Sequence, residues 1–66
     1  MNIDEIKQEV ARIDVMKGDD ECAHGAEDDL HVAFIMHIAE HGSEDLAAMA
    51  REVLKTGKIE FCRWCA

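Results

Sequence analysis

The apolar positions at the start of the chain follow a helical rather than an alternating pattern. They lie three, four and three residues apart: Ile3, Ile6, Val10 and Ile13. This spacing is typical of one narrow apolar seam along an α-helix, which needs another helix to pack against. Asn2 can cap the helix, and Glu5 occupies the position of a capping-box carboxylate. We therefore predict a first helix over about residues 3–17, ended by Gly18.

The second predicted helix, about residues 20–41, has two dissimilar halves. Its first half is acidic and small, whereas residues 30–39 are apolar on nearly every side. Because a helix that is apolar all round is normally buried all round, five side chains are expected at the centre of the structure: Val32, Phe34, Ile35, Met36 and Ile38. Gly42 is expected to end the helix. In a chain this short, covering every side of such a helix requires a second protomer.

A third helix is predicted over about residues 44–56, with Ser43 as its cap. Its apolar residues recur at the spacing of a single face: Leu46, Met49, Ala50, Val53 and Leu54. Residues 58–66 alternate in polarity at first and are expected to form a short extended tail. The sequence therefore predicts a single all-α domain of three helices with an extended C-terminal tail.

Length and charge narrow the classes of function. A chain of 66 residues rarely buries enough apolar surface to be stable alone, so we expect it to form a homo-oligomer. Its 15 acidic and 7 basic side chains give a formal net charge of -8, which argues against direct binding to duplex DNA. The chain has neither a signal-peptide pattern nor an apolar run long enough for a membrane helix. A cytoplasmic location without membrane attachment is therefore predicted.

The densest group of polar side chains lies in the first half of the second helix. His24, Asp28 and His31 are spaced four and three residues apart, so they share one helical face, with Glu27 beside them. Three interpretations remain open. The face could be a solvated acidic surface, a polar pocket for a ligand, or a binding site for a divalent transition metal.

The C-terminal tail offers a second group of candidate residues. Cys62 and Cys65 form a single C-x-x-C, which could be structural, could bind zinc or could be redox active. Arg63 and Trp64 could anchor the tail, or could hold a nucleotide or another partner by stacking and donated hydrogen bonds. The C-terminal part of the chain carries basic side chains, whereas the first half of the second helix is acidic. We expect electrostatic attraction between them to dock the tail on that helix.

Two motifs add a family resemblance. They read D-E-x-A-H-x-x-E-D-x-L over residues 20–30 and T-x-x-I-x-F-x-R-W-C-A over residues 56–66. The pattern resembles small uncharacterised proteins of bacteriophages and of bacterial genomes. The resemblance implies a shared helical fold and no particular activity. It also implies that six residues belong to one site: His24, Glu27, Asp28, Thr56, Arg63 and Trp64.

These observations favour a non-enzymatic interaction or ligand-sequestering protein. We expect a phage-encoded inhibitor of a host defence system that acts in the host bacterial cytoplasm. The chain lacks a complete catalytic set, and no cofactor is predicted. In one mechanism the acidic face occupies a basic groove of a host protein, as anti-CRISPR-like charge mimics do. In the other, chains frame a pocket where Lys55, Arg63 and Trp64 hold a small anion or nucleotide. The alternative is a divalent-metal-binding protein that uses His24, Asp28 and His31, or the two C-terminal thiols.

Overall fold

The computed structural model describes residues 1–61 and shows three α-helices followed by a short 3₁₀ helix, with no strand among these residues. The elements are α1 (Ile3–Val15), α2 (Asp20–His41), α3 (Glu44–Leu54) and the 3₁₀ helix (Lys55–Lys58). This confirms the prediction of a small all-α domain of three helices. Most of the predicted extended tail, residues 62–66, lies outside the described residues.

Each α-helix begins at a side-chain cap. The Asn2 side chain accepts a hydrogen bond from the Glu5 backbone N–H at 2.9 Å, and the Glu5 carboxylate accepts one from the Asn2 N–H at 3.0 Å. This pair is the predicted capping box. The Asp19 and Ser43 side chains cap α2 and α3 by single hydrogen bonds, which they accept from the Cys22 and Leu46 N–H groups at 3.1 and 3.3 Å. These bonds satisfy backbone N–H groups that have no partner within the helix.

Two helices end slightly earlier than predicted. α1 stops at Val15 and residues 16–18 form a turn, whereas the prediction extended the helix to residue 17. α3 stops at Leu54, and the chain then tightens into the 3₁₀ helix. There the Thr56 hydroxyl donates a hydrogen bond to the Val53 carbonyl at 2.9 Å. Tightening of the last turn in this way is common at helix C-termini.

Gly42 joins α2 to α3 in a tight connection. Its φ of -73° and ψ of 172° are extended, so the residue is not needed for a left-handed conformation. Its N–H donates to the Ile38 carbonyl at 2.8 Å. A Cβ at this position would lie 2.6 Å from that carbonyl oxygen. Glycine is therefore required because the backbone passes too close to the end of α2 for a side chain.

The three helices lie side by side in one layer. α2 is in the middle, packing against α3 on one side and against α1 on the other, whereas α1 and α3 do not touch. The principal dimensions are 39 × 33 × 10 Å, and the smallest is close to the diameter of one helix. The Arg51 guanidinium, on α3, donates a hydrogen bond to the Ala39 carbonyl of α2 at 3.2 Å. This hydrogen bond links α2 and α3 in addition to their apolar contacts.

The single layer leaves the molecule with little interior. Among residues 1–61, only Ala47 and Ala50 are buried. The prediction that the apolar half of α2 forms a buried centre is wrong for this chain by itself. Val32, Phe34 and Met36 are 48%, 46% and 47% exposed, and Ile35 and Ile38 are half-buried. The reason is geometric, because neighbours on two sides cannot cover a helix above and below.

The apolar half of α2 is too short to suggest a membrane span. α2 has 22 residues, but the acidic side chains of its first half interrupt the apolar run. Within residues 1–61, no helix is both long enough and apolar enough to cross a bilayer.

Candidate functional site

An open groove lies where the first half of α2 faces the end of α3. Its volume is about 500 Å³. Its polar lining comes from two elements, with His24, Asp28 and His31 on α2 and Thr56 in the 3₁₀ helix. The remaining lining is apolar apart from the Gly57 backbone: Val32, Ile35, Val53, Leu54 and Phe61. The groove therefore combines a polar end with apolar walls.

The polar end owes its shape to helical spacing. Residues four and three positions apart stack along one side of α2, which places the two histidines on either side of the Asp28 position. The His24 Nε2 lies 3.5 Å from the Asp28 Oδ2. The two side chains are 40% and 63% exposed, so both can be reached from solvent. Asp28 can therefore orient the His24 ring while it still offers an oxygen to a ligand.

The groove collects part of the residue set that the sequence suggested. His24, Asp28, His31 and Thr56 line it together, although Thr56 is far from the others in sequence. Glu27 and Lys55 do not line it. The Lys55 ammonium instead pairs with the Glu52 carboxylate at 2.6 Å. The predicted contributions of Arg63 and Trp64 lie outside the described residues.

The apolar walls were missed by sequence reasoning. Val32 and Ile35 were assigned to a buried centre, and Phe61 was noted only as part of the C-terminal motif. The structure places all three around the groove. The position of Phe61 in the same motif as Thr56 was the one available signal. The approach of α3 to α2 that brings both residues to this groove could not be read from spacing.

The described residues do not form a metal site. Among residues 1–61, no group of three or more His, Cys, Asp or Glu side chains is placed to hold a metal ion. Although His24, Asp28 and His31 share one side of the helix, the geometry therefore gives no support to the metal alternative for these residues. The alternative that uses Cys62 and Cys65 lies outside the described part of the chain.

The N-terminal half of α2, together with its capping residue, is strongly negative. Six carboxylates are exposed there: Asp19, Asp20, Glu21, Glu27, Asp28 and Asp29. Within residues 1–61, no Lys or Arg forms an ion pair with any of them. The expected attraction between this region and the basic end of the chain therefore produces no ion pair among these residues. Arg51 and Lys55 use other partners, and Arg63 is not described.

Known proteins give no independent guide to the site. No protein-family model, curated protein or solved structure matches this chain. The resemblance to phage and bacterial proteins therefore stays a prediction.

Proposed function

We propose that this protein is a non-enzymatic binding protein that sequesters a small molecule in the groove between α2 and α3. The observation that carries the proposal is the joining of a polar end, His24 and Asp28, to apolar walls in one cavity of about 500 Å³. That volume lies within the range of small-molecule sites, which are mostly apolar with a few polar groups that orient the ligand.

The lining indicates the chemistry of the ligand. The ionised Asp28 carboxylate only accepts hydrogen bonds, so it favours a ligand edge that carries N–H groups. The His24 ring offers at least one hydrogen-bond donor, and the apolar walls favour a flat ring face. A nucleobase combines these features, and the N1–H and N2–H groups of guanine can both reach one carboxylate. Lys55 and Lys58 flank the lining residues Thr56 and Gly57 and can attract an attached phosphate.

The groove does not have the arrangement of a hydrolase that uses a hydroxyl nucleophile. Thr56 carries the only hydroxyl among the described lining residues, and it donates its proton to the Val53 carbonyl. A nucleophilic hydroxyl would instead donate to a general base such as His24. Binding without turnover is therefore the activity that this lining favours.

A sequestering role also fits the resemblance to phage proteins. A phage can block a host defence that signals through a small nucleotide by binding that nucleotide in the host cytoplasm. We therefore propose that the protein acts as a phage-encoded sponge for a nucleotide signal of the host.

The proposal is tested by calorimetric titration with guanosine and guanosine 5′-monophosphate. We expect both probes to bind wild type and Asp28→Asn to weaken the binding about tenfold or more, since hydrogen bonds to charged groups are worth roughly 1.5–3 kcal/mol. Asp29→Asn is the matched control, because it removes the same charge from the next residue of α2, which does not line the groove. A wild type that binds neither probe, or equal weakening by both variants, overturns this proposal.

A second function is favoured by the cluster of carboxylates on α2. Six exposed carboxylates that form no ion pair with Lys or Arg within residues 1–61 could occupy a basic groove of a host protein, as a charge mimic does. Such a complex weakens steeply as salt rises from 0.1 to 1 M, because the Debye length falls from about 10 to about 3 Å. A host partner captured at low salt, released at high salt and lost on Asp29→Asn would support this function. Capture that resists high salt would contradict it.

A further inference from the structure

We propose that a second copy of this chain covers the apolar side of the layer around Ile35 and closes the ligand groove. Three neighbouring grooves open on this side, and Ile35 lines all of them. We call the surface that they share the Ile35 face. Its main residues are Leu30, Phe34, Ile35, Ile38, Met49 and Val53.

The need for a cover follows from the architecture. Stable domains enclose a core between at least two layers of secondary structure, whereas this chain forms one layer about 10 Å thick. Phe34, Met49 and Val53 are 46%, 57% and 50% exposed on the Ile35 face. A second layer placed on this face would bury them and would complete a two-layer domain.

The amount of surface fits a dimer. The chain exposes 5470 Å², whereas a compact protein of 7.4 kDa exposes about 4200 Å². The difference exceeds the roughly 800 Å² that each partner buries in a standard interface.

The charge distribution also permits two copies to meet on this face. The two grooves lined by Phe34 contain no Lys, Arg, Asp or Glu. The carboxylates of α2 are concentrated in its first half, toward one end of the layer. Two copies can therefore join through apolar side chains while their net charges of -8 repel over a longer range. Added salt should screen this repulsion and strengthen the dimer.

A second copy would also complete the binding site, and this part of the inference rests on the proposed function. The groove that holds His24 and Asp28 shares Ile35 and Val53 with the neighbouring apolar grooves. A chain seated on the Ile35 face therefore reaches the open side of that groove. The ligand would then lie between two copies and would be shielded from water better than in a single chain.

Sedimentation velocity without ligand tests the dimer directly. We expect the mass derived from sedimentation to be that of two chains for wild type and that of one chain for Phe34→Glu. Met36→Glu is the matched control, because Met36 is equally exposed on the same helix, at 47% against 46%, but lines none of the three grooves. A monomeric wild type, or the same loss of dimer with both variants, overturns the proposal.

A second pair of variants guards against simple unfolding. Met49→Lys places a charge on the Ile35 face from α3, and Ala48→Lys places the same charge on the preceding residue, which is exposed. We expect dimer loss only with Met49→Lys, with helicity kept in both variants by circular dichroism. Equal subunit counts in these two folded variants contradict the proposal.

Titration of Phe34→Glu with guanosine separates the two proposals. If the second copy closes the groove, this variant binds guanosine at least about tenfold more weakly than wild type does, while Met36→Glu binds normally. Unchanged binding by a monomeric variant overturns the closure but leaves the proposed function standing. A dimeric wild type that binds no probe overturns the proposed function but not the dimer.

Discussion

α1 and α3 flank the same central helix, yet α3 packs against it more extensively than α1 does. α3 contributes the two buried residues of the described chain, Ala47 and Ala50, and its Arg51 is bonded to the backbone of α2. α1 has no buried residue. Its polar side-chain bonds join positions three or four residues apart, such as Arg12 to Glu9 and Lys17 to Asp14.

The difference indicates which conditions should affect each part of the molecule. Contacts between α2 and α3 depend on the volume available between the helices, so they should respond to changes in side-chain size or burial. The bonds of α1 are exposed and local, so they should respond to pH and salt. Variants can test the two expectations separately.

The largest expected effect is a charge placed between α2 and α3. Ala50→Asp buries a carboxylate without a partner, and an uncompensated buried charge costs about 3–5 kcal/mol. In a chain this small, such a cost should abolish folding, measured as loss of helical circular dichroism. Ala48→Asp makes the same change at an exposed position of α3 and should alter stability by about 0.5 kcal/mol or less. A folded Ala50→Asp would show that the two helices are not closely packed.

The glycines between the helices, Gly42 before α3 and Gly18 before α2, provide a second test of how α1 and α3 differ. Gly42→Ala would put a Cβ 2.6 Å from the Ile38 carbonyl oxygen, which belongs to rigid helix backbone. We expect this strain to lower stability by about 1–3 kcal/mol in urea unfolding. Gly18→Ala, between α1 and α2, meets nothing within 4 Å and needs no positive φ. This second variant should be stabilised by about 0.4–1 kcal/mol.

Equal changes in the free energy of unfolding for Gly42→Ala and Gly18→Ala would contradict the expected difference between the two connections. That result would mean that the turn after α2 relaxes as freely as the turn after α1.

Local signals made much of the fold predictable. Asn2 and Ser43 cap α1 and α3 as predicted, because a cap needs only a side chain and the next few backbone N–H groups. Burial was not predictable in this way. The apolar half of α2 shows which surface must be covered, but not whether the same chain covers it. The two buried residues are the small Ala47 and Ala50. The apolar spacing of the third helix included Ala50 but not Ala47.

The candidate site likewise contains residues that local spacing could group and residues that only long-range packing brings together. His24, Asp28 and His31 could be grouped from the sequence because one helix sets their spacing. Thr56 was tied to them only by the resemblance, and Phe61 was not tied to them at all. Their place in the groove depends on how α3 returns along α2, which is a long-range property.

The smallest expected effect concerns the ion pair on α1. The Arg12 guanidinium donates two hydrogen bonds to one Glu9 oxygen, at 3.0 and 2.8 Å. These bonds, together with the charge of Arg12, lower the pKa of the Glu9 carboxyl below its usual value. Because the folded pKa is the lower one, the pair stabilises α1 above the usual glutamate pKa, and the contribution is lost as pH falls through the folded pKa.

A carboxyl NMR titration checks this ion pair. Arg12→Gln should return the Glu9 pKa toward the usual value and should speed amide exchange in α1 but not in α3. Lys7→Gln removes the same charge two positions from Glu9 without touching the hydrogen bond, so it should leave the Glu9 pKa largely unchanged. Because the pair is exposed, 1 M salt should reduce the difference between the variants. A change in α3 exchange equal to that in α1 would show that the two flanking helices are coupled through α2 rather than held independently.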